Sequence, residues 1–580
     1  MPISLENSEI AALLYETADL MEIAGEDPFR IRSYRNGASA IETCPERIAD
    51  IVTNPERDVT EIRGIGKGLA SVLKEIVEKG SFERRDQLLQ KYPAGALELL
   101  KIQGLGPKGI ALLYSHYQVS NIDDLERVCR EGKLRELPRM GEKLEQKILR
   151  SIEQYRRSAS RFLIDHADRV AGEIAAYLAE TPGVEKVTPA GSLRRRKETI
   201  GDIDLLVTGP DPAPALEKFI KFPKIREVLA KGENKTSAKI GHEGIQVDVR
   251  VLDRSSYGSA LQYFTGSKDH NVAIRTRAIK MGFKLSEYGL FRATDEVKVA
   301  GSTEEEVYCT LGLAWIPPEL RENTGEIEAA AEGRLPALVE LPQIRGDVHA
   351  HTTATDGRNS IAEMAAAAQA AGYQYLAITD HSKALAMANG LDEKRLVEQI
   401  AEIRRVALDF PGLTLLAGCE CDIRQDGAMD LDDEALAQLD IVIASVHSHM
   451  NLDAGAMTER LLRAMENPHV NIIGHPTGRL LLRREPFPFD FERVAAEAAR
   501  RNVHFEINAS PERLDLSANL LRIAKGKGVK FVISTDAHHT RHLANMKYGV
   551  WMARRGWLGP EDVLNTLDAR QFRAAMVKRR

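Results

Sequence analysis

Seven short apolar runs, each ending in a polar cluster, constrain the fold of this 580-residue chain more than any other feature. The runs are IRGDVHAH, YLAITDH, LTLLAGCE, IVIASVH, VNIIGHP, VHFEIN and KFVISTDAH, and helical text such as IAEMAAAAQAAG separates them. Most runs follow one another at about 30 residues, the length of one strand–helix unit. The pattern predicts a parallel β/α barrel of about seven units over residues 343–580, with its polar strand ends on one face, where such barrels place active sites.

Nine side chains with metal-ligating groups lie at these polar strand ends or in the loop after the first. They are His349, His351, Asp356, His381, Glu420, His447, His475, Asp536 and His538. Histidine nitrogens combined with carboxylate oxygens suit Zn²⁺, Mn²⁺ or Fe²⁺, and nine side chains are too many for one ion. The pattern therefore predicts two or three ions, which together promote attack on a phosphate ester. Nearby, Arg479 and Asn508 could touch a substrate phosphate.

A second acidic motif lies in the first half of the chain, in AGSLRRRKETIGDIDLLV. Asp202 and Asp204 alternate on a predicted strand, so both carboxylates project from the same face. Asp248, on the later run IQVDVRV, could complete a cluster of three, and such a cluster holds two Mg²⁺ ions in nucleotidyl transfer. The alternative is a solvated Asp-x-Asp pair on a sheet edge. The Gly-Ser pair before the motif and the third aspartate after it favour the metal site.

Two segments near the N-terminus, IRGIGKG and IQGLGPKG, share the pattern apolar-x-Gly-apolar-Gly in front of a predicted helix, and LPRMGEK is a weaker third copy. The glycines of the clear copies are Gly64, Gly66, Gly104 and Gly106. Glycine permits a tight turn, and the helix N-terminus behind it presents N–H groups to a phosphate. These segments resemble helix-hairpin-helix motifs, which hold DNA backbones without reading their sequence. The alternative is an ordinary glycine-rich turn between packed helices.

The distribution of charge agrees with a nucleic-acid partner for one part of the chain. The net charge of −6 argues against such a partner for the whole, but residues 101–300 are net positive and residues 321–580 are net negative. The five cysteines form no CxxC pair, the segment MPISLENSEI lacks the features of a secretion signal, and no apolar run is long enough to cross a membrane. We expect a cytoplasmic protein with reduced cysteines and no membrane partner.

The succession of GS, GDID, VDV and YFTGSKDHN resembles the nucleotidyltransferase core of family X DNA polymerases. The resemblance implies that Asp202, Asp204 and Asp248 are the catalytic ligands of Mg²⁺ or Mn²⁺. It places eight residues around the incoming dNTP, namely Gly191, Ser192, Arg195, Gly201, Tyr263, Phe264, Gly266 and Asn271. It matches Arg275 to a template-side contact, and the likeness of residues 1–80 to the family's small DNA-binding domain places Tyr34 and Arg35 near a 5′-phosphate. The predicted DNA contacts also include the hairpin residues Gly64, Gly66, Gly104, Gly106 and Lys108. Members with lyase activity carry a Schiff-base lysine at the position of Val72, so we expect no lyase activity here.

The blocks HAH, TDH, GCE, SVH, GHP and TDAH, in this order, resemble the polymerase-and-histidinol-phosphatase (PHP) domain. The resemblance implies a phosphoesterase with a trinuclear metal site in a distorted (β/α)₇ barrel. Some PHP domains attached to polymerases have lost ligands, whereas every block is complete in this chain. We therefore expect an active site in the barrel.

These readings predict a multidomain fold with α+β and α/β parts. Residues 1–80 form a small helical DNA-binding domain with the first hairpin, and 81–157 a helical, fingers-like domain with the second. A nucleotidyltransferase palm covers 158–252 and a thumb 253–318. Residues 319–342, rich in glutamate, are predicted as a linker, and 343–580 as the PHP barrel.

The chain is thus similar throughout to bacterial family X DNA polymerases that carry a C-terminal PHP domain. We expect a DNA polymerase that fills short gaps in DNA repair, including base excision repair, with a metal-dependent 3′–5′ exonuclease in the barrel. Its partners would be gapped or primed DNA and dNTPs, and a monomer is the default. One alternative is a 3′-end-cleaning or abasic-site nuclease whose polymerase half mainly positions DNA. Another is a DNA-binding scaffold that holds a small-molecule phosphatase.

Overall fold

A computed structural model describes residues 7–577 apart from 43, 45–46, 63, 93–94, 139 and 159–160. The chain divides into two compact units, Met1–Ser160 and Arg161–Arg580. Within the described residues, no helix is both long enough and apolar enough to span a membrane.

The described part of the first unit is helical. Its α-helices are α1 (Asn7–Ile23), α2 (Pro28–Glu42), α3 (Ile48–Thr53), α4 (Lys67–Lys79), α5 (Glu83–Lys91), α6 (Gly95–Leu99), α7 (Pro107–Tyr117), α8 (Ile122–Arg130) and α9 (Glu142–Ser158). Leucine and isoleucine side chains at helical spacing, such as Ile10, Leu14, Leu73 and Leu113, form one buried core. Burial of this apolar stripe stabilises helices that are too short to persist alone.

The second unit begins with the predicted palm. Its elements are β1 (Phe162–Leu163), α10 (Ile164–Ala179), β2 (Lys186–Pro189), α11 (Gly191–Arg194), β3 (Thr199–Ile200), β4 (Asp202–Thr208), α12 (Pro214–Phe219), β5 (Ile225–Lys231), β6 (Lys235–Ile240) and β7 (Ile245–Leu252). The strand order is β2-β4-β7-β6-β5, and β4 runs parallel to β7. Ile203, Leu205 and Val207 enter the core with Ile174 of α10. The two-residue period of the strand leaves Asp202 and Asp204 on the opposite face.

Three helices and a small antiparallel sheet follow as the predicted thumb. These are α13 (Tyr257–Thr265), α14 (Lys268–Lys280), β8 (Phe283–Ser286), β9 (Gly289–Arg292), β10 (Lys298–Ala300) and α15 (Glu304–Thr310). Leu261 of α13 packs on Leu206 of β4, on the same sheet face that carries the two aspartates. The end of α13 is therefore held beside the acidic motif.

The segment predicted as a linker is folded and packed in the structure. It contains α16 (Glu326–Ala331), and Leu320, Arg321, Glu326 and Val339 are buried. Nη1 of Arg321 donates to Glu304 at 2.6 Å, and Nδ1 of His270 lies 2.7 Å from Glu326. Polar composition suggested solvent exposure, but these charged groups are buried because each has a partner elsewhere in the chain.

The seven apolar runs each contribute a strand to one parallel sheet, so the predicted barrel is confirmed. The strands are β11 (Gly346–Asp347), β12 (Tyr375–Ile378), β13 (Thr414–Asp422), β14 (Ile441–Ser445), β15 (Ile472–Ile473), β16 (His504–Asn508) and β17 (Phe531–Ser534), paired in chain order. The helices are α17 (Ile361–Ala370), α18 (Glu393–Ala407), α19 (Asp433–Leu436), α20 (Ala454–Glu466), α21 (Phe491–Arg501), α22 (Ala518–Gly526), α23 (Met546–Arg555) and α24 (Ala569–Met576). A parallel bridge between Ala350 and Ala537 joins the segments after β11 and β17, so the barrel nearly closes.

Candidate active sites

The three predicted carboxylates of the palm lie on two neighbouring strands. Asp204 of β4 is in direct register with Asp248 of β7, and Asp202 stands two residues before Asp204. Asp202 is exposed, whereas the side chain of Asp204 is 19% exposed and that of Asp248 is 8% exposed. The structure therefore brings all three acids to one end of the sheet, open to solvent on the side of Asp202.

The acids repel one another and attract nearby cations. Burial, followed by the charge of Asp202, raises the pKa of Asp204 to about 6. Burial would raise the pKa of Asp248 as well, but hydrogen bonds from Lys235, Ser237 and Gln246 hold it below its usual value. A crowded set of oxygen ligands with unfavourable mutual repulsion suits a hard divalent cation such as Mg²⁺ or Mn²⁺. The residues present thus fit the metal implied by the sequence.

Two glycines among the predicted nucleotide contacts lie where a side chain would not fit. Gly191 begins α11 with φ +60°, and a Cβ there would lie 3.0 Å from Oδ2 of Asp204. Gly266 ends α13 with φ +70°, and a Cβ there would lie 3.1 Å from Nη1 of Arg195. A side chain at either position would be strained and would press on an active-site group. Ser192 follows Gly191 in α11, and Gly201 directly precedes Asp202.

The remaining predicted nucleotide contacts cluster where α13 meets α14. The rings of Tyr263 and Phe264 meet edge to face with centroids 5.1 Å apart. The guanidinium of Arg250 lies 4.5 Å from the Phe264 ring, and its Nε is 3.9 Å from Oδ1 of Asp204. Asn271 donates through Nδ2 to the carbonyl of Tyr263 at 2.7 Å and accepts from Gln262 at 2.8 Å. Its amide therefore also fixes the turn between the helices.

In the barrel, Glu420 of β13 stands at the centre of the predicted ligands. Its Oε2 lies 3.3 Å from Nε2 of His349 and 2.9 Å from Nδ1 of His381. Its Oε1 lies 3.2 Å from Nε2 of His447 and 2.8 Å from Nε2 of His475. One buried carboxylate thus touches histidines that come from four different strand ends, as the barrel topology predicts.

The other ligands complete three overlapping groups whose ligand atoms lie within 4.8 Å of one another. The groups are His351, Asp356, His381 and His538; then His349, His351 and Asp536; and finally His381, Glu420 and His447. His351 and His381 are each shared by two groups, so neighbouring sites would lie side by side. All nine predicted ligands therefore converge, with His475 joining through Glu420.

The charges and hydrogen bonds of this cluster favour bound cations. Burial would lower the pKa of His381, but Glu420 and Asp356 raise it to about 10. Burial would raise the pKa of Glu420, but His447, His349 and His381 hold it well below its usual range. Among the described residues, the buried atoms Nε2 of His349 and both ring nitrogens of His351 make no hydrogen bond. Unpaired buried nitrogens are costly, so the donor set fits divalent ions that take the place of protons.

Sequence analysis missed the acids behind the histidine ligands. Oε1 of Glu506 lies 2.6 Å from Nδ1 of His349, and Nδ1 of His447 contacts Asp422. Such carboxylates orient a ligating imidazole and raise its basicity. The available signal was an acidic residue inside an apolar run, as in VHFEIN, where Glu506 is fully buried.

Arg479 and Asn508, the two residues considered as contacts to a substrate phosphate, form hydrogen bonds within the protein. Nδ2 of Asn508 donates to Asp536 at 3.1 Å and to Glu506 at 3.2 Å. Nε of Arg479 donates to the carbonyl of Arg513 at 3.0 Å, and its Nη2 lies 3.3 Å from Glu198. Arg513 itself, which sequence analysis missed, places Nε 3.5 Å from Oδ2 of Asp536. Arg513 is therefore the guanidinium nearest to a predicted metal ligand in this group.

The three glycine-rich segments of the first unit share one main-chain hydrogen bond. The amide of Ile65 donates to the carbonyl of Ile62 at 3.0 Å, and Leu105 donates to Ile102 at 3.2 Å. In the weaker copy Met140 donates to Leu137, also at 3.2 Å. The first two turns contain a left-handed glycine, with φ +101° at Gly64 and +95° at Gly104. The same hydrogen bond thus precedes three different helices, α4, α7 and α9.

The helix ends behind these turns are open. Gly66 and Gly106 are the N-caps of α4 and α7, and a Cβ on either would meet nothing within 4 Å. Both glycines and Lys108 are exposed. The first N–H groups of the two helices are therefore accessible to an anion.

Other residues assigned to DNA differ in accessibility. Tyr34 is buried, with its ring stacked 6.1 Å from that of Phe82. Arg35 is paired with Asp19 at 2.8 Å and with Glu22 at 2.5 Å, and its side chain remains 44% exposed. Arg275 is exposed on α14. A DNA contact by Tyr34 would be limited to its edge, whereas Arg35 and Arg275 keep solvent-facing charge.

Comparison with known families matches four parts of the chain. A helix-hairpin-helix domain matches residues 5–82, and a SAM-like helix-hairpin-helix tandem matches 96–154, which spans both the second and the third turn. The DNA polymerase beta thumb matches 260–322, so it extends into the predicted linker. The PHP domain matches 347–509.

Among curated relatives, the DNA polymerase/3′-5′ exonuclease PolX of Bacillus subtilis is 40% identical over 572 residues, which is 98% of this chain and 99% of that protein. A probable phosphatase of Caldanaerobacter subterraneus is 32% identical over 231 residues, 38% of this chain and 86% of that protein. A probable phosphatase of Syntrophotalea carbinolica is 28% identical over 230 residues, 38% of this chain and 90% of that protein. Of these three relatives, the two-activity enzyme is the one matched over nearly all of this chain.

Proposed function

The chain belongs to the family of the DNA polymerase/3′-5′ exonuclease PolX, and from this premise we propose how its residues divide two opposing reactions between two metal sites. It is a DNA polymerase that also carries a 3′–5′ exonuclease. The division rests on one observation: the second unit contains two complete ligand clusters, one on the palm sheet and one at the barrel strand ends.

Polymerisation belongs to Asp202, Asp204 and Asp248. Mg²⁺ or Mn²⁺ held by these carboxylates would supply the charge that offsets the triphosphate and the primer end. The chain fixes the geometry, because Asp204 and Asp248 lie in register on adjacent strands. Arg195 and the turn at Gly191 and Ser192 bind the triphosphate, while Tyr263, Phe264 and Gly266 line the sugar and Asn271 the base.

Exonuclease action belongs to the barrel. Its nine ligands would hold two or three Zn²⁺, Mn²⁺ or Fe²⁺ ions, which supply Lewis acidity to phosphodiester hydrolysis. Glu506 and Asp422 orient His349 and His447 for that task through their Nδ1 atoms. Burial of the ligands restricts access to solvent, so an extended single-stranded 3′ end suits the site better than a duplex.

The surrounding roles follow from the same proposal. The hairpins at Gly64–Gly66 and Gly104–Gly106, with Lys108, bind the DNA backbone through phosphates, and Arg275 contacts the template side. Gapped or primed DNA and dNTPs are the substrates, and short-gap filling in repair is the cellular task. The working form is a cytoplasmic monomer.

The direct test uses a 5′-labelled primer on a duplex with a one-nucleotide gap, in Mn²⁺, with and without dNTPs. We expect lengthening with dNTPs and shortening without them. If the primer were not lengthened in either Mg²⁺ or Mn²⁺, the polymerase assignment would fail and the function would be that of an end-processing nuclease. Absence of shortening, with fast hydrolysis of a free phosphomonoester, would assign the barrel a phosphatase activity of the kind named for the partial relatives.

The open helix end at Gly106 offers a test of the phosphate contact. We expect Gly106→Glu to weaken binding of the full-length chain to a gapped duplex by about five- to tenfold at moderate salt, because an acidic side chain would repel the backbone. The fold should not change, since φ at Gly106 is −103° and the space in front of it is empty. Fluorescence anisotropy at several salt concentrations measures the affinity.

The matched control is Gly526→Glu, which adds the same charge at an exposed, open glycine at the end of α22. It should bind DNA within twofold of the parent chain. Equal affinities for Gly106→Glu and Gly526→Glu would mean that this turn does not contact the DNA.

A further inference from the structure

The charged segment RRRKE, which runs from Arg194 at the end of α11 to Glu198, is held by groups outside the palm sheet. Arg194 donates from Nη1 and Nη2 to Glu304 of α15, at 2.8 Å each. The guanidinium of Arg196 lies 3.7 Å from the centre of the Trp551 ring on α23 of the barrel. Glu198 faces Arg479, also from the barrel. The loop that carries the predicted triphosphate contact therefore has thumb residues and barrel residues as its partners.

Arg195 is bound most closely. Its Nε donates to Oε1 of Glu322 at 3.1 Å, and its Nη1 donates to the carbonyl of Thr265. Nη1 of Arg555, the last residue of α23, reaches the same Oε1 of Glu322 at 3.2 Å and donates to the main-chain carbonyl of Arg195. Arg555 thus touches the backbone of Arg195 directly and its guanidinium through one shared carboxylate.

These groups are well shielded from water. The side chain of Arg555 is 6% exposed, that of Arg195 13% and that of Glu322 20%. Burial would raise the pKa of Glu322, but Arg195, Arg555 and Lys197 hold it below its usual range. Charge-assisted hydrogen bonds in such surroundings are strong and directional, so they limit the rotamers of both guanidinium groups.

Arg195 keeps one donor for a ligand. In the described part of the chain, its Nη2 takes part in no hydrogen bond, whereas Nε and Nη1 are both used. Its Nη1 is also the atom nearest to a Cβ built on Gly266, at 3.1 Å. Fixing two nitrogens therefore orients the third beside the sugar-lining turn.

We infer that Arg555, a residue of the PHP barrel, is a positioning residue for nucleotide incorporation in the palm, acting through Glu322 and the main chain of Arg195. The inference rests on the proposed contact of Arg195 with the triphosphate. The barrel then completes the dNTP site of the polymerase in addition to housing the exonuclease. Removal of Arg555 leaves the carbonyl of Arg195 without this donor and frees Glu322 to draw the Arg195 guanidinium away from the nucleotide.

The neighbouring Arg554 is a matched control on the same helix. Its Nε donates to Glu319 at 2.8 Å, and its Nη1 donates to the carbonyl of Val339 at 3.2 Å. It forms an ion pair of similar length, with a side chain that is 18% exposed, but its partners lie in the segment between the thumb and the barrel. Loss of Arg554 removes a comparable interaction and leaves Arg195 bound as before.

The test compares Arg555→Met, Arg555→Lys and Arg554→Met in the full-length chain, by single-nucleotide insertion into a one-nucleotide gap. We expect Arg555→Met to raise the KM for dNTP about tenfold with kcat changed less than threefold, because ground-state orientation of the triphosphate contact is lost. DNA affinity and exonuclease rate should stay within twofold of the parent chain. Arg554→Met should leave all four quantities within twofold, and Arg555→Lys should recover part of the KM.

A double variant separates positioning from general support. Because Arg555 acts partly through Glu322, the two substitutions should not act independently. The fold increase in KM for the double variant Arg555→Met/Glu322→Gln should be smaller than the product of the fold increases for the two single variants. Equal KM values for Arg555→Met and Arg554→Met, in a chain whose parent extends the primer, would overturn the inference alone. Parallel loss of extension and exonuclease in both Arg555 variants would also overturn it, since that indicates a structural role. A parent chain that does not extend would instead overturn the proposed polymerase site.

Discussion

Asp202→Asn is expected to lower the rate of nucleotide insertion by about a thousandfold or more while the same chain still shortens a single-stranded primer at the parental rate. Asp202 is the exposed member of the three-carboxylate cluster, so its replacement removes a negative charge where the triphosphate and primer end would meet. The substitution keeps the shape of the side chain, and Asp202 lies at the first residue of β4 rather than in its buried part. Single-turnover insertion into a gapped duplex measures the loss.

The control for this variant lies at the other end of the same strand. Asp211 is exposed and follows the turn after Thr208, so Asp211→Asn changes the net charge equally without touching the cluster. It should insert nucleotides within twofold of the parent chain. If Asp202→Asn inserted nucleotides at the parental rate, the acidic cluster would not be the site of the polymerase reaction.

The second large effect is expected from Glu420→Gln in the barrel. We expect a loss of exonuclease rate of about a thousandfold or more, with insertion by the palm unchanged. The amide preserves volume, but it loses the charge that four histidines face and turns a donor toward their nitrogens. The content of Zn, Mn and Fe in the purified chain, measured by mass spectrometry, should fall as well, which is a readout independent of activity.

Folding of the barrel has to be separated from loss of its site, because Glu420 is buried. Asp356→Asn serves this purpose, since Asp356 is 36% exposed and lies in a loop, and it should also abolish most exonuclease activity. Glu402→Gln, on the exposed face of α18, is the matched control and should retain the parental rate and metal content. Full exonuclease activity in Asp356→Asn and Glu420→Gln would place hydrolysis outside this cluster.

The barrel and its ligands could be predicted from sequence because the signals are local. Each apolar run stops at a polar block, and the parallel topology then brings all blocks to one face without further information. The palm acids were accessible for the same reason, since strand periodicity alone places Asp202 and Asp204 together. Their register with Asp248 required pairing between strands about forty residues apart, and the resemblance supplied it where periodicity could not.

Residues that act through partners distant in the sequence could not be predicted from the sequence. Glu506 is an ordinary acid in the sequence, and only the near-closure of the barrel, which brings the segment after β11 to the segment after β17, places it behind His349. Arg555 is one of many exposed-looking arginines near the end of a helix, yet it is buried against a loop 360 positions earlier. The packing of the predicted linker could not be foreseen for a related reason: composition reports the polarity of Arg321 and Glu326 but not the presence of Glu304 and His270 to pair with them.

The packed segment between thumb and barrel has a consequence for how a 3′ end passes between the two active sites. A flexible tether would let one catalytic half swing toward a stalled primer. The side chains of this segment are instead buried against the thumb and the barrel, so the segment cannot extend without losing that packing. A mismatched 3′ end must then travel by fraying and sliding of the DNA itself, or by release and rebinding. Partitioning between extension and removal would accordingly be governed by the melting of the terminal base pairs, so that A·T-rich ends are shortened more readily than G·C-rich ones.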